Sequence, residues 1–82
     1  MKELLVNLNE IAKVKEFVHI ANSFNKDEVT LTLVSGRYII DAGSILGIFS
    51  LNINKNIKLV IETTNEQLKN AVCEKFQKFT VA

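Results

Sequence analysis

Residues 41–51 read DAGSILGIFSL, and this stretch decides how the rest of the chain is interpreted. It sets two glycines and two serines among five large apolar residues. Ser44 is a preferred residue type at a helix N-cap, so the sequence predicts a helix that begins directly after it. The segment is long enough for only about two helical turns.

The apolar residues of this short helix cannot all face the same way. With about 3.6 residues per turn, the spacing favours Ile48 and Leu51 for the core and leaves Ile45, Leu46 and Phe49 at its edge. Clustered apolar side chains on the surface of a small domain usually mark an interaction surface. We therefore expect Ile45, Leu46 and Phe49 to form a partner-binding patch, unless the last helix or a second copy of the chain covers them.

The first part of the chain predicts a strand and a helix. Residues 2–8 are short and apolar, which suits a strand. The helix that follows carries an apolar stripe at three- and four-residue steps, formed by Ile11, Val14, Phe17, Val18, Ala21 and Phe24. Asn7 and Glu10 have the spacing of a capping box at its start.

A hairpin is predicted on the other side of residues 25–28. Residues 29–34 alternate apolar residues with threonine, as in a half-buried strand, and residues 37–41 form its partner across a Ser-Gly turn. After a loop at residues 52–56, the segment 57–62 predicts the last strand, with alternate residues facing the core.

The last segment predicts a helix, which completes the fold. Thr63 or Thr64 is expected to cap it, because Thr64 and Gln67 have capping-box spacing. Its buried stripe is Leu68, Ala71, Val72, Phe76 and Phe79. The order strand, helix, strand, strand, short helix, strand, helix predicts an α+β fold, with an antiparallel sheet covered by helices on one face. At 82 residues we expect a single domain over 1–82.

The composition argues against several classes of function. Ten basic and nine acidic residues give a formal net charge of +1, without the basic patch that usually marks nucleic-acid binding. Cys73 has no second thiol to join in a disulfide or a metal site, so we expect it to pack at the margin of the core. The sequence indicates no metal and no cofactor. The apolar run at the N-terminus breaks after a few residues, so we expect no signal peptide, and no stretch reaches the ~18 apolar residues of a membrane span. We therefore expect a cytoplasmic protein.

Two blocks of the sequence resemble a known family. The run AGSILGIFSL at 42–51 is similar to the Ala-Lys-Ser-Ile-Met-Gly-(Val or Leu)-Met-Ser-Leu run of the HPr family. These are the histidine-containing phosphocarrier proteins of the bacterial sugar phosphotransferase system. The segment FVHIANSF at 17–24 is similar to a helix of the same family. The resemblance implies the open-faced βαββαβα sandwich, with the antiparallel sheet in the order 1-4-2-3.

The chain departs from the family at the reaction site. The family's phosphorylated histidine stands at the start of the first helix and is followed by Ala, Arg and Pro. Counting back from Phe17, the histidine position falls at Glu10, the arginine position at Ala12 and the proline position at Lys13. Phosphoryl acceptance needs an accessible imidazole near positive potential. We therefore expect no catalytic residue and no histidine phosphotransfer.

The favoured hypothesis is an HPr-like regulatory or protein-binding module that binds a protein partner through the short helix, as a monomer or weak homodimer. One alternative is a phosphocarrier with an unrecognised acceptor, either Glu10 or His19. His19 is the only histidine, and we expect it on the solvent side of its helix. Another alternative is a serine-phosphorylated regulator of the phosphotransferase system. Ser44 matches the family's regulatory serine, although Gly43 replaces the lysine that usually precedes it.

Overall fold

The computed structural model of the protein describes residues 1–81. Its elements are β1 (Lys2–Val6), α1 (Ile11–Asn22), β2 (Thr30–Ser35), β3 (Tyr38–Asp41), α2 (Ile45–Phe49), β4 (Ile57–Glu62) and α3 (Glu66–Phe76). A 3-10 turn at Gln77–Phe79 follows α3 directly. The order of elements predicted from the sequence is confirmed.

The four strands form one antiparallel sheet in the order β1-β4-β2-β3, the order that the family resemblance implied. Leu59 of β4 pairs with Leu4 on one side and with Leu33 on the other, and Leu33 also pairs with Ile40 of β3. This row of apolar residues faces the helices, which all lie on that side of the sheet. The opposite face of the sheet is open, so the predicted two-layer α+β sandwich is confirmed.

The β2–β3 hairpin closes with the two-residue turn Gly36–Arg37, because Ser35 pairs directly with Tyr38. Gly36 has a φ of +58°, whereas no non-glycine residue within the described chain has a positive φ. A positive φ followed by a negative one is the sign pattern of a type II′ turn, which requires glycine at its first central position. The sequence predicted the hairpin, and the structure moves its turn one residue toward the C-terminus.

The core lies between the sheet and the three helices. Eleven of its side chains are almost completely buried: Val6, Leu8, Val14, Phe17, Leu33, Ile48, Ile57, Leu59, Ile61, Val72 and Phe76. Three aromatic rings join α1 to the end of the chain. The ring centroid of Phe17 lies 4.8 Å from that of Phe76 and 5.3 Å from that of Phe79. The chain's C-terminal end is therefore held against the first helix.

Both helix caps predicted from capping-box spacing are wrong. The side chain of Asn7 accepts a hydrogen bond from the backbone N–H of Asn9 at 3.2 Å, so it does not cap α1. The N-cap of α1 is Glu10, whose side chain makes no capping hydrogen bond. At α3 the cap is Asn65, which accepts from the N–H of Leu68 at 3.1 Å. Thr63 instead donates its hydroxyl to the carbonyl of Glu28 at 2.8 Å.

Two residues assigned to buried stripes are exposed, and a third lies beyond the end of its helix. Ile11 is 61% exposed because it occupies the first helical position of α1, at the margin of the core. Ala71 is also exposed on α3. Phe24 lies beyond the end of α1, where Ser23 donates its hydroxyl to the carbonyl of Ile20. It still packs against the core, with its ring centroid 6.4 Å from that of Phe76.

Candidate functional site

The short helix α2 begins as the sequence predicts. Ser44 is its N-cap, and the Ser44 hydroxyl oxygen accepts a hydrogen bond from the backbone N–H of Gly47 at 3.2 Å. The backbone N–H of Ser44 donates to the carbonyl of Asp41 at 3.0 Å, which fixes the turn between β3 and α2. The Asp41 carboxylate also accepts from the N–H of Gly43 at 2.7 Å. These bonds hold α2 at a defined angle to the edge strand.

The apolar residues of α2 divide between the core and the surface. Ile48 is fully buried and Leu51 is buried just after the helix, as predicted. Leu46 is 81% exposed and Phe49 is 42% exposed, whereas Ile45 is half-buried and packs against the core. Leu46 and Phe49 therefore present most of the apolar surface of α2, and Ile45 contributes its exposed edge. We call Ile45, Leu46 and Phe49 the α2 patch.

Gly43 lies against the side chain of Asn22, where the end of α1 approaches the start of α2. The side-chain amide of Asn22 donates to the Gly43 carbonyl at 3.2 Å. A Cβ atom on residue 43 would overlap the Asn22 side-chain oxygen, so a larger residue there displaces the Asn22 side chain. The pair Asn22 and Gly43 thus gives a packing reason for the missing lysine before Ser44.

The positions that the resemblance matched to the family's histidine, arginine and proline are Glu10, Ala12 and Lys13, at the start of α1. Glu10 is exposed, and its backbone carbonyl accepts from the N–H of Val14 at 3.1 Å. Ala12 offers no cation, and the Lys13 ammonium donates to the side-chain oxygen of Asn9 at 3.3 Å. His19 is exposed in the last turn of α1, away from the free amides at the helix start.

Contacts at both ends align α1 with the segment that contains α2. Asn22, at the end of α1, binds the residue before the α2 cap. Asn7, in the loop that leads into α1, donates its side-chain amide to Asn56 at 3.1 Å, in the loop that follows α2. The loop before α1 therefore lies beside the loop after α2. The sequence analysis assigned Ile11 to the buried stripe, whereas its side chain is exposed. Its place at the first position of the helix was the available signal.

The described residues contain no group of three or more His, Cys, Asp or Glu side chains that could hold a metal. The four ion pairs found within residues 1–81 are all at the surface, including Lys26 with Asp41 at 3.6 Å. Cys73 is half-buried and packs against the core, as expected. Across the described chain, no helix is both long enough and apolar enough to cross a membrane. The exposed side of α2 is therefore apolar, and within residues 1–81 it has no cluster of metal-ligating side chains beside it.

Comparisons with known proteins agree on one family. The sequence matches the PTS-HPr family model, described as "PTS HPr component phosphorylation site", over residues 12–80. A comparison with curated protein sequences gave no match.

Two solved structures show the same fold. One is the crystal structure of HPr-C-His from Thermoanaerobacter tengcongensis, with a TM-score of 0.70 and 21% identity over 95% of this chain and 92% of that one. The other is the phosphocarrier protein HPr from Bacillus anthracis, with a TM-score of 0.64 and 25% identity over 90% of this chain and 92% of that one. With the family match over most of its length, the chain belongs to the HPr family of phosphocarrier proteins of the phosphotransferase system.

Proposed function

We propose that this HPr-family protein is a single-domain regulatory or binding module that acts by docking a protein partner and does not carry a phosphoryl group on histidine. The observation that carries the proposal is the residue at the start of α1. Glu10 stands there as the N-cap, and the only histidine, His19, lies nine residues further along the chain, in the last turn of the helix. We expect the protein to act in the cytoplasm, as the resemblance to bacterial phosphocarriers implies.

The chemistry at this helix start supports the loss of phosphotransfer. A carboxylate at Glu10 is stabilised by roughly 0.3–1 kcal/mol in the positive field of a helix N-terminus. The same charge repels an incoming phosphoryl group. No arginine at the helix start offsets it, because the position matched to the family's arginine is Ala12.

The α2 patch supports the docking half of the proposal. Leu46 extends most of its side chain into solvent, and the half-exposed ring of Phe49 lies on the same two-turn helix. Clustered apolar side chains on the surface of a small domain usually mark an interaction site. Ser44 and its turn fix the helix before any partner arrives, so little conformational freedom is lost on binding.

A regulatory phosphorylation of Ser44 is the competing proposal. The Ser44 hydroxyl is already engaged as the cap of α2, and Ser44 itself is half-buried. A phosphate at this position would also lie near the Asp41 carboxylate, which is bound to the neighbouring N–H of Gly43. Both features favour a structural role for Ser44. Phosphopeptide mapping of protein from the cells that make it would decide the matter, because a modified Ser44 would establish the regulatory role.

Docking through the α2 patch is tested by affinity capture with wild type, Phe49→Asp and Leu5→Asp. Leu5 on β1 is 47% exposed, so it is a matched control for the 42% exposed Phe49 on a different surface. We expect wild type and Leu5→Asp to retain the same protein from an extract of the source cells and Phe49→Asp to lose it. Equal retention by both variants, or equal loss with folding intact by circular dichroism, would contradict the proposal.

A further inference from the structure

β3 leaves its outer edge open. The backbone N–H of Ala42 donates to the carbonyl of Leu31 at 3.0 Å, which sets the alternation of hydrogen-bonded pairs along the hairpin. Leu33–Ile40 and Ser35–Tyr38 are therefore hydrogen-bonded pairs, whereas the N–H and C=O groups of Ile39 point away from β2. Within the described residues β3 pairs only with β2.

The opposite edge of the sheet is covered at the C-terminal end of β1. The N–H of Val81 donates to the carbonyl of Leu5 at 3.0 Å, and Thr80 forms a bridge with Val6. Natural edge strands are usually protected by short length, charged side chains, proline, a bulge or a covering segment. β3 is short and ends at Asp41, but it contains no lysine and no proline, and Ile39 is 71% exposed. The open edge is thus both unpaired and apolar.

The sequence of this edge is complementary to itself. In an antiparallel pair of two β3 strands with the two-fold axis at Ile39, each Ile39 lies opposite the other. The same register sets Tyr38 opposite Ile40 and Arg37 opposite Asp41, since residues 37–41 read RYIID. Both ends of the pair then place a cation against an anion. We propose that two copies of the chain associate through their β3 edges in this register and form a continuous eight-stranded sheet.

The charges at the ends of the strand favour a second copy over an unrelated extended peptide. Arg37 is the only arginine in the sequence and takes part in none of the four ion pairs seen in residues 1–81. Asp41 has one partner, Lys26, at 3.6 Å, and remains more than half exposed. Two-fold symmetry makes the Arg37–Asp41 contact twice, and opposite charges directly across a strand pair are stabilising.

Side-chain packing on the open face of the sheet adds to the pairing. Ile39 pairs with Val34 of β2, so a β3–β3 contact continues one apolar row from Val34 through both Ile39 side chains to the second Val34. β3 is only four residues long, and such a contact is smaller than the roughly 1,200 Å² of a stable specific interface. The dimer is therefore weak and forms at high protein concentration.

The proposal is tested by sedimentation velocity over a range of concentrations with wild type, Ile39→Lys and Leu5→Lys. We expect the average mass of wild type to rise from 9.2 kDa toward twice that value. Ile39→Lys should weaken association by about tenfold or more, because like charges directly opposite destabilise a strand pair. Leu5→Lys places the same charge on the same open face at the far edge strand and should associate like wild type. A wild type that stays monomeric, or equal effects of the two lysines, would overturn the proposal.

A charge exchange tests the register. Arg37→Asp and Asp41→Arg each set like charges opposite each other in a homodimer, so each variant alone should be monomeric. Their mixture restores two opposite-charge contacts, and a mixed dimer should appear. Should Asp41→Arg fail to fold, because Asp41 also binds the Gly43 N–H, hydrogen exchange of wild type replaces it. Protection of the Ile39 amide should rise with concentration, and an amide that exchanges equally fast at all concentrations would refute the edge contact.

Discussion

At the scale of single residues, short polar side chains determine where the helices begin. Asparagine and threonine stand next to each other before α3, and either is an acceptable cap by residue type. The structure uses Asn65, since Thr63 binds the distant carbonyl of Glu28 and Thr64 makes no hydrogen bond within the described residues. Spacing alone could not identify the cap, because the competing partner of Thr63 comes from a loop 35 residues away.

Replacing the two candidate caps one at a time separates them. Asn65→Ala removes the acceptor for the Leu68 N–H and should lower the free energy of unfolding by about 1 kcal/mol. Thr64→Ala removes an exposed side chain and should change it by less than about 0.5 kcal/mol. Urea denaturation measures both values. Equal losses, or a larger loss from Thr64→Ala, would contradict the assignment of Asn65.

The contact between Gly43 and Asn22 predicts that the effect of Gly43→Ala on stability depends on residue 22. Gly43→Ala pushes the Asn22 side chain away and breaks its hydrogen bond to the Gly43 carbonyl, which should cost about 1 kcal/mol. In an Asn22→Ala background the space is free, and Gly43→Ala should become neutral or stabilise by about 0.4–1 kcal/mol. A double-mutant cycle from urea denaturation measures the coupling. Additive effects would show that the two residues do not restrict each other.

At the scale of elements, strands were easier to predict than helix boundaries. The alternation in residues 57–62 gave β4 with its observed bounds, because burial on one face of a sheet imposes a period of two. The division of α2 into buried Ile48 and exposed Leu46 also followed from helical spacing. Ile11 was misplaced because periodicity does not show where the core ends along a helix. The docking role of the α2 patch, inferred from its clustered apolar side chains, stays a prediction.

Shortening a side chain on the buried face of α2 should reduce stability, whereas shortening one on its exposed face should reduce partner binding. Ile48→Ala removes a fully buried side chain and should lower the free energy of unfolding by about 2–5 kcal/mol. Leu46→Ala removes a side chain that is mostly in solvent, so it should leave stability within about 0.5 kcal/mol while weakening capture of the partner. Thermal unfolding and affinity capture measure the two effects. A strongly destabilised Leu46→Ala would show that Leu46 belongs to the core.

At the scale of the whole molecule, one aromatic cluster connects the first helix to the last residues of the fold. Phe17 comes from α1, Phe76 ends α3, and Phe79 lies in the 3-10 turn. The backbone carbonyl of Phe79 accepts a hydrogen bond from the N–H of Asn7. Elements far apart in sequence thus meet at one point. A domain of this size has a net stability of only about 5–15 kcal/mol, so removing one of these rings should cost a large fraction of it.

Phe17→Ala should cost about 3–5 kcal/mol and leave a large unfolded fraction at moderate temperature. The measurement is a circular dichroism melt, with Phe49→Ala as the control because it removes the same side chain from the surface. We expect the Phe49 variant to melt close to wild type. Similar melting temperatures for the two variants would contradict the assignment of Phe17 to the core.

The account as a whole rests on an HPr fold without histidine phosphotransfer, and an assay of the transfer itself tests this most directly. The protein is incubated with phosphoenolpyruvate and the first enzyme of the phosphotransferase system, beside a histidine-bearing HPr, and intact masses are measured. We predict that only the histidine-bearing HPr gains a phosphoryl group. A labile phosphoryl group on this chain that disappears in His19→Ala or Glu10→Gln would contradict the account and identify the acceptor.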